Sequence, residues 1–460
     1  MIENNIMLNT DSYKATHWLQ YPPGTENIYS YLESRGGKYP ATVFFGLQYL
    51  IKKHLMGQVV TQKKIDEAEV FWDMHFGRKG LFNREGWEYI LNKHDGYLPI
   101  EIRAIPEGSV IPLKNALLTI ENTDKEVPWL TNWIETLLVQ VWYSITVCTN
   151  SYFIKQEMLK YAEITGCPIE NVPFKLHDFG FRGVSCYEEA MIGAMSHLVN
   201  FMGTDTTAGI VGAMNYYNAG MCGFSLPASE HSTITSWGKN KELDAFKNML
   251  DKYPNGLVAC VSDSYDIFYA CEHLWGEKLK EQILNRDGCL IVRPDSGDPV
   301  EVVLKVLLIL WKRFGGTTNA KGYKVLDPHI RIIQGDGVDY EMIILILKAM
   351  ENAKFCTDNC AFGSGGGLLR KHDRDTLKFA CKCSYIIING EGFPVWKEPV
   401  TSYMKHSKRG RLKVVRDVTI HTCLEEEYPK KENMLRTVFL NGKLLIEEDF
   451  ETIRKRTYMI

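Results

Sequence analysis

Four apolar runs in the second half of the chain each end in a cluster of aspartate or glycine: 257–263 (LVACVSD), 290–297 (LIVRPDSG), 330–336 (IRIIQGD) and 360–367 (CAFGSGGG). Helix-like stretches fill the gaps between them. A strand with a polar end and a returning helix, repeated, predicts parallel β/α architecture. In such folds the chemistry gathers at the carboxyl ends of the strands, so these ends mark the rim of a candidate site. Similar ends fall near Asp178, Asp205 and Glu230. The intervals of about 25–40 residues suit βα units.

A chain of 460 residues is too long for one simple core. In its first part, 42–56 and 61–75 read as helices and 98–121 as strands broken by prolines; Pro128 opens an aromatic-rich helix over 129–143. From Phe174 the β/α rhythm takes over, with helices expected over 266–284, 300–313 and 340–350. Strand-like pieces return at 382–389, 436–439 and 443–446. The expected fold class is α/β. A β/α barrel-like core over 166–374 is flanked by a mixed α+β domain built from the N- and C-terminal segments, 1–165 and 375–460.

Composition narrows the function by exclusion. Hydrophobic residues are 45% and charged residues 24%, as in an ordinary soluble protein. A net charge of −3 gives no bulk attraction to nucleic acid or to an anionic membrane. The most apolar stretch, 129–147, is interrupted by Asn132, Glu135 and Gln140, so no membrane span is expected. The first residues lack the pattern of a signal peptide. Twelve scattered cysteines show no zinc-site spacing and read as buried thiols of a reducing compartment, the cytoplasm.

Several constellations carry chemistry. Gly363-Ser364-Gly365-Gly366-Gly367 follows a strand, and glycines there let backbone N–H groups approach a phosphate; the plainer reading is a flexible turn. Arg293 and Asp295 share a strand end, where a guanidinium suits phosphate or a carbonyl and a carboxylate suits ribose or a metal-bound water; a structural pair is the alternative. Asp263 and Asp336 on neighbouring ends add carboxylates that repel unless a cation or a hydroxyl-rich ligand satisfies them. His231 beside Glu230 reads as acid, base or nucleophile, or as a satisfied structural histidine. Alternation puts Lys175, His177 and Phe179 on one strand face, fitting an anionic ligand with a flat ring or an ordinary amphipathic strand. The basic run 405–416 is a solvated surface or a phosphate clamp.

Ten motifs, in order and over nearly the whole chain, resemble the nicotinamide phosphoribosyltransferase family. They include TDSYKATHWLQYPP (10–23), LTNWIETLLVQVWY (130–143), KLHDFGFRGVS (175–185), HLVNFMGTDT (197–206), EHSTITSWGK (230–239), VSDSYDI (261–267), RPDSGDP (293–299), IQGDGVD (333–339) and AFGSGGGLL (361–369). The resemblance implies a type II phosphoribosyltransferase fold and a homodimer with shared active sites. It implies transfer of the phosphoribosyl group of 5-phosphoribosyl-1-pyrophosphate (PRPP) to nicotinamide, giving nicotinamide mononucleotide and pyrophosphate. Mg²⁺ is implied, as is ATP hydrolysis through a phosphohistidine.

Carried over by resemblance, Phe179 stacks on one face of the nicotinamide ring, and Tyr13 of another subunit covers the other. Asp205 accepts from the carboxamide. Arg293 lies near both the amide and the diphosphate. Arg182 and His231 face the diphosphate, and His231 is the phosphorylated position. Asp263 and Asp295 surround Mg²⁺, through water, and the ribose. Gly335 and Asp336 contact ribose, Gly365 and Gly366 cradle the 5′-phosphate, and Arg374 and Lys382 are cationic phosphate contacts. Lys397 and Lys405 are weaker nucleotide-side candidates. Ala259 and Ala380 depart from the serines of animal relatives. Two rival readings stay open: a nicotinate phosphoribosyltransferase, and a non-catalytic PRPP-binding or signalling protein.

Overall fold

The computed structural model describes residues 4–401 and 406–458. Two compact units result: Met1–Thr149 with Ala213–Ala219 and His372–Ile460, and Asn150–Gly212 with Gly220–Lys371. The boundary expected at 165/166 falls earlier, inside the helix Val141–Thr165, and the short stretch Ala213–Ala219 goes with the first unit.

The first unit is built on a seven-stranded antiparallel sheet. Its order is Glu391–Pro394, Phe379–Ile388, Thr25–Ser34, Ala116–Asn122, Ile100–Ala104, Arg436–Leu440, Lys443–Leu444. Helix Leu130–Val139 packs on it, its Thr131 hydroxyl donating to the Ile28 carbonyl at 3.0 Å and its Asn132 Oδ1 accepting from the Ser30 hydroxyl at 3.0 Å, while its Trp133 is buried against Trp72, Trp87 and Trp129. The helix expected over 42–56 begins only at Leu47, because Ala41–Val43 pairs as a strand with Val110–Pro112. Gly46 makes the break at φ 103°, a conformation that favours glycine.

The second unit holds the predicted β/α core. Its six strands are β1 (Leu176–Asp178), β2 (Gly203–Thr204), β3 (Asn255–Val261), β4 (Asp287–Arg293), β5 (Ile330–Gln334) and β6 (Cys360–Ser364), in the order β2-β1-β6-β5-β4-β3. Every pairing is parallel. All six carboxyl ends therefore lie on one side. An extended segment links the two edges: Phe224 bridges Gly203 of β2, and Ala228 bridges Ala259 of β3. These bridges curl the sheet toward a barrel. The returning helices follow their sequence signals. Asp298 caps Pro299–Phe314 by accepting from Val300 and Glu301 N–H, and Asp339 caps Tyr340–Asn352. The helix expected over 266–284 is divided, with a π-helical turn at Ala270–Lys278 between two short α segments.

Candidate active site

The carboxyl ends of β1, β4, β5 and β6 line a cavity of about 440 Å³, with the ends of β2 and β3 beside it on the same rim. Phe179, Arg182, Arg293, Asp295, Gly335, Asp336, Gly365 and Gly366 all line it, together with Lys371. Sequence reasoning passed over Lys371; its only signal is a lysine four residues beyond the glycine cluster. Its ammonium stands 3.8 Å from Asp339, a loose pair that leaves the side chain largely exposed.

The Phe179 ring is set by its neighbours. Its N–H donates to the Ser364 carbonyl at 2.9 Å, tying the turn after β1 to the end of β6. The ring lies against Gly363, where an added Cβ would come within 2.8 Å of Cζ. Gly363 thus serves as a platform for the ring rather than as part of a phosphate cradle. Gly366 differs, because a Cβ there would meet nothing within 4 Å. The His177 ring sits 5.3 Å from Phe179 and tilted to it.

Asp205 follows β2 and accepts hydrogen bonds from His177 Nε2 at 3.2 Å and from the Ser225 hydroxyl, both on Oδ1. Oδ2 is left without a hydrogen-bond partner among the described residues. Burial opposes ionisation of Asp205, but the two hydrogen bonds and the Arg293 charge outweigh it, so its carboxyl is held below the usual range. Ser225 gave no sequence signal, being an ordinary serine outside any strand.

On the adjoining ends, His231 Nε2 meets Asp263 Oδ1 at 3.0 Å, and Nδ1 stands 3.9 Å from Asp295. Asp263 Oδ2 accepts from Asp295 N–H at 3.1 Å and from the Ser296 hydroxyl at 2.6 Å. Arg293 contacts Asp295 at 3.4 Å, while its Nε is buried without a partner among the described residues. An orphaned guanidinium donor at the wall of a cavity is a group waiting for an acceptor. Burial, then the Asp263 and Asp336 carboxylates, push the Asp295 carboxyl above its usual value, against Arg293 and His231.

Two sequence readings are corrected. Lys175 does not face the cavity. Its ammonium binds Asp358 Oδ1 at 3.0 Å and the Asp358 carbonyl at 2.7 Å, ahead of β6. Burial works against the Asp358 charge, but Lys175 and Arg331 hold its carboxyl at about 2. The basic run is likewise engaged internally: Lys408 pairs with Glu33, Arg411 with Glu121 over the Tyr29 ring, and Lys413 with the Tyr428 carbonyl. Those three side chains are no mobile phosphate clamp.

Tyr13, Arg374 and Lys382 belong to the first unit. Tyr13 is 62% exposed, on the 3-10 segment Ser12–Leu19, next to Lys14, whose ammonium binds Glu135 at 2.9 Å. Arg374 is exposed, and Lys382 lies on strand Phe379–Ile388 with its ammonium on the Cys381 carbonyl. Lys397 is exposed, and Lys405 lies outside the described residues.

A parallel, barrel-like sheet with a guanidinium, clustered carboxylates and a glycine turn at its carboxyl rim is the framework of a phosphoribosyl-transferring enzyme. The comparisons agree. Residues 174–443 match the nicotinate phosphoribosyltransferase (NAPRTase) family, and residues 5–102 match the nicotinamide phosphoribosyltransferase N-terminal domain. The chain is 47% identical over 461 residues to a nicotinamide phosphoribosyltransferase of Xanthomonas campestris pv. campestris, covering 98% of this chain and 97% of that protein. It is 36% identical to one of Acinetobacter baylyi, covering 97% and 95%. The crystal structure of nicotinate-nucleotide pyrophosphorylase from Pyrococcus furiosus superposes with a TM-score of 0.62 at 18% identity, over 99% of this chain and 95% of that one, which supports the fold. The chain belongs to the nicotinate and nicotinamide phosphoribosyltransferase family.

Proposed function

We propose that this enzyme transfers the phosphoribosyl group of PRPP to nicotinamide, forming nicotinamide mononucleotide and pyrophosphate in NAD salvage. The observation that carries the choice of base is Asp205, ionised, with Oδ2 open and Phe179 nearby in the same rim. A carboxylate accepts from a carboxamide N–H and repels the carboxylate of nicotinate. The aromatic ring supplies a stacking face. The reaction passes through positive charge on the ribose and needs little acid–base chemistry. Its main demands are orientation of the ring nitrogen and neutralisation of the diphosphate. Arg293 and Arg182 serve the diphosphate, Asp336 and Gly335 the ribose, and the Gly365-Gly366 turn the 5′-phosphate. Supplying nicotinamide or nicotinate with PRPP and Mg²⁺ and measuring mononucleotide formation tests the assignment; faster turnover of nicotinate overturns it.

Mg²⁺ and ATP belong to the same reading. No group of three or more His, Cys, Asp or Glu side chains able to cage a metal occurs among the described residues. Both Asp263 oxygens are already engaged. The set instead fits an ion that keeps its waters and rides on substrate phosphates, met through water by Asp295 and Asp263. When bound, such an ion neutralises diphosphate charge. The Asp263 carboxylate accepts from His231 Nε2–H, leaving the Nδ1 lone pair as the nucleophile for the γ-phosphate of ATP. ADP leaves, and water later releases phosphate. His231→Ala is expected to abolish ATP hydrolysis and leave basal transfer; ATP stimulation surviving in that variant contradicts the phosphohistidine.

The proposal extends to a homodimer in which Tyr13, Arg374 and Lys382 complete the partner's site. Mixing Tyr13→Ala with Asp205→Ala subunits tests it, because one intact site forms per mixed dimer. Activity no higher than the sum of the separate variants rejects sharing. A cytoplasmic setting fits twelve cysteines that form no disulfide among the described residues, with Cys186 alone of these exposed.

A further inference from the structure

Asp178 ends β1 with no solvent exposure and, among the described residues, no ion-pair partner. Nothing in the proposed chemistry uses it. A carboxylate buried without a cation is costly and persists where its acceptors are needed. Its two oxygens serve two different turns. Oδ1 accepts the Gly180 N–H at 2.7 Å, and Oδ2 accepts the Thr204 hydroxyl at 3.2 Å. Its carbonyl takes the Asp205 N–H at 2.9 Å. Gly180 directly follows Phe179, and Thr204 directly precedes Asp205. The Thr204 oxygen in turn accepts the Thr206 N–H at 2.9 Å, which leaves its single proton to point at Asp178. One buried side chain therefore braces both the ring and the carboxylate that frame the base.

We propose that Asp178 is a positioning residue for base recognition, holding Phe179 and Asp205 in register with each other; this rests on the reading of those two residues as the walls of the nicotinamide site. The donors explain why a carboxylate is needed. The Gly180 N–H can only donate, so an asparagine must turn its oxygen there and its amide toward Thr204. That reverses the Thr204 hydroxyl and loosens the turn leading to Asp205. Of the groups of the rim assigned to PRPP, Arg293, Gly335, Asp336 and the Gly365-Gly366 turn lie at the ends of β4 to β6 and make no hydrogen bond to the Asp178 side chain, while Arg182 follows Gly180 by two residues.

The test is steady-state kinetics on the full chain, varying nicotinamide and PRPP separately, for Asp178→Asn, Thr204→Val and Thr204→Ser. Phe179→Ala and Asp205→Ala serve as references. Asp178→Asn and Thr204→Val are expected to raise the KM for nicotinamide about tenfold, with the KM for PRPP within about twofold, and Thr204→Ser to stay near the parent. The two KM values moving together, or neither moving, overturns the proposal, as does Thr204→Ser matching Thr204→Val. Should Asp178→Asn not fold, Thr204→Val and Thr204→Ser decide by the same criterion. If the reference variants leave the nicotinamide KM unchanged, the base site itself is wrongly assigned and the positioning role falls with it. If they raise it and the brace variants do not, only the positioning role falls.

Discussion

Gly363→Ala offers a test whose size follows from the packing of one ring. Gly363 sits within β6 at an ordinary strand φ, so alanine brings no backbone strain. The cost is contact alone. An alanine Cβ would lie 2.8 Å from Phe179 Cζ, and closer still to Cε2 and Cδ2. Carbon atoms rest about 3.5–4.0 Å apart, so the ring edge must retreat by more than about 1 Å. Retreat is restricted, because the His177 ring stands 5.3 Å away and the Phe179 N–H is fixed to Ser364. Overpacking of this kind costs about 1–3 kcal/mol of stability, which a thermal melt reads as a modest drop. The larger effect falls on the site. A displacement of about 1 Å costs about a hundredfold where orientation matters, so kcat/KM for nicotinamide should fall by about that factor. The KM for PRPP should hardly move. The assay is initial-rate mononucleotide formation with each substrate varied in turn, beside a melt of the same preparation. A folded Gly363→Ala enzyme with a nicotinamide kcat/KM within about threefold of the parent would refute the reasoning, since the ring would then be free to move without consequence.

Three further outcomes are expected. Asp205→Asn exchanges an ionised acceptor for a neutral group that also donates, so the preference for nicotinamide over nicotinate should shrink by about tenfold or more; competition between the two bases reads it, and an unchanged ratio removes Asp205 from the role. Gly366→Ala should leave the melting temperature unaltered, since its Cβ meets nothing within 4 Å, yet raise the KM for PRPP by about tenfold if a phosphate packs against that Cα; an unchanged KM places the phosphate elsewhere. Glu107 is wholly buried, and burial pushes its carboxyl from 4.5 up to about 7, against the Gly46 and Gln48 N–H groups and the Tyr217 hydroxyl. The folded state then binds the proton more tightly than the unfolded chain, so its contribution is full below pH 4.5 and is lost as pH rises through about 7. The loss amounts to about 3 kcal/mol. Urea titrations should show a stability slope across that window in the parent that is absent from Glu107→Gln; equal slopes refute it.

The rim was legible because each parallel strand of the core carries its own signal. A short apolar run buried on both faces, then aspartate or glycine where the backbone turns, needs no partner to be recognised. β3, β4, β5 and β6 all announce themselves this way, and the last three end at one cavity. Elements without such a signal were lost. The helix Val141–Thr165 is apolar on several sides and offers no single face to a periodicity search. The segment that curls the sheet pairs only through Phe224 and Ala228, too briefly to leave an alternating pattern. The helix expected from Thr42 was cut back because Gly46 and the Glu107 carboxylate, sixty-one residues away in sequence, set its start together.

Charge was the harder thing to read, for a physical reason. A lysine or arginine states its charge in the sequence but not the acceptor it will find, and a long side chain reaches whichever carboxylate the tertiary fold brings near. Lys175 and His177 alternate on one strand face, yet Lys175 finds Asp358 at one end of the sheet while His177 finds Asp205 at the other. Lys408 and Arg411 meet Glu33 and Glu121, which are nearly three hundred or more residues distant. The carboxylates divide in the same way. Asp178 and Asp205 both sit at strand ends and read alike. Folding buries the first under two turns, where every acceptor is used internally, and leaves the second half-exposed with one oxygen open. What separates a bracing carboxylate from a binding one is therefore the count of donors already spent on it. That count exists only once the turns have closed.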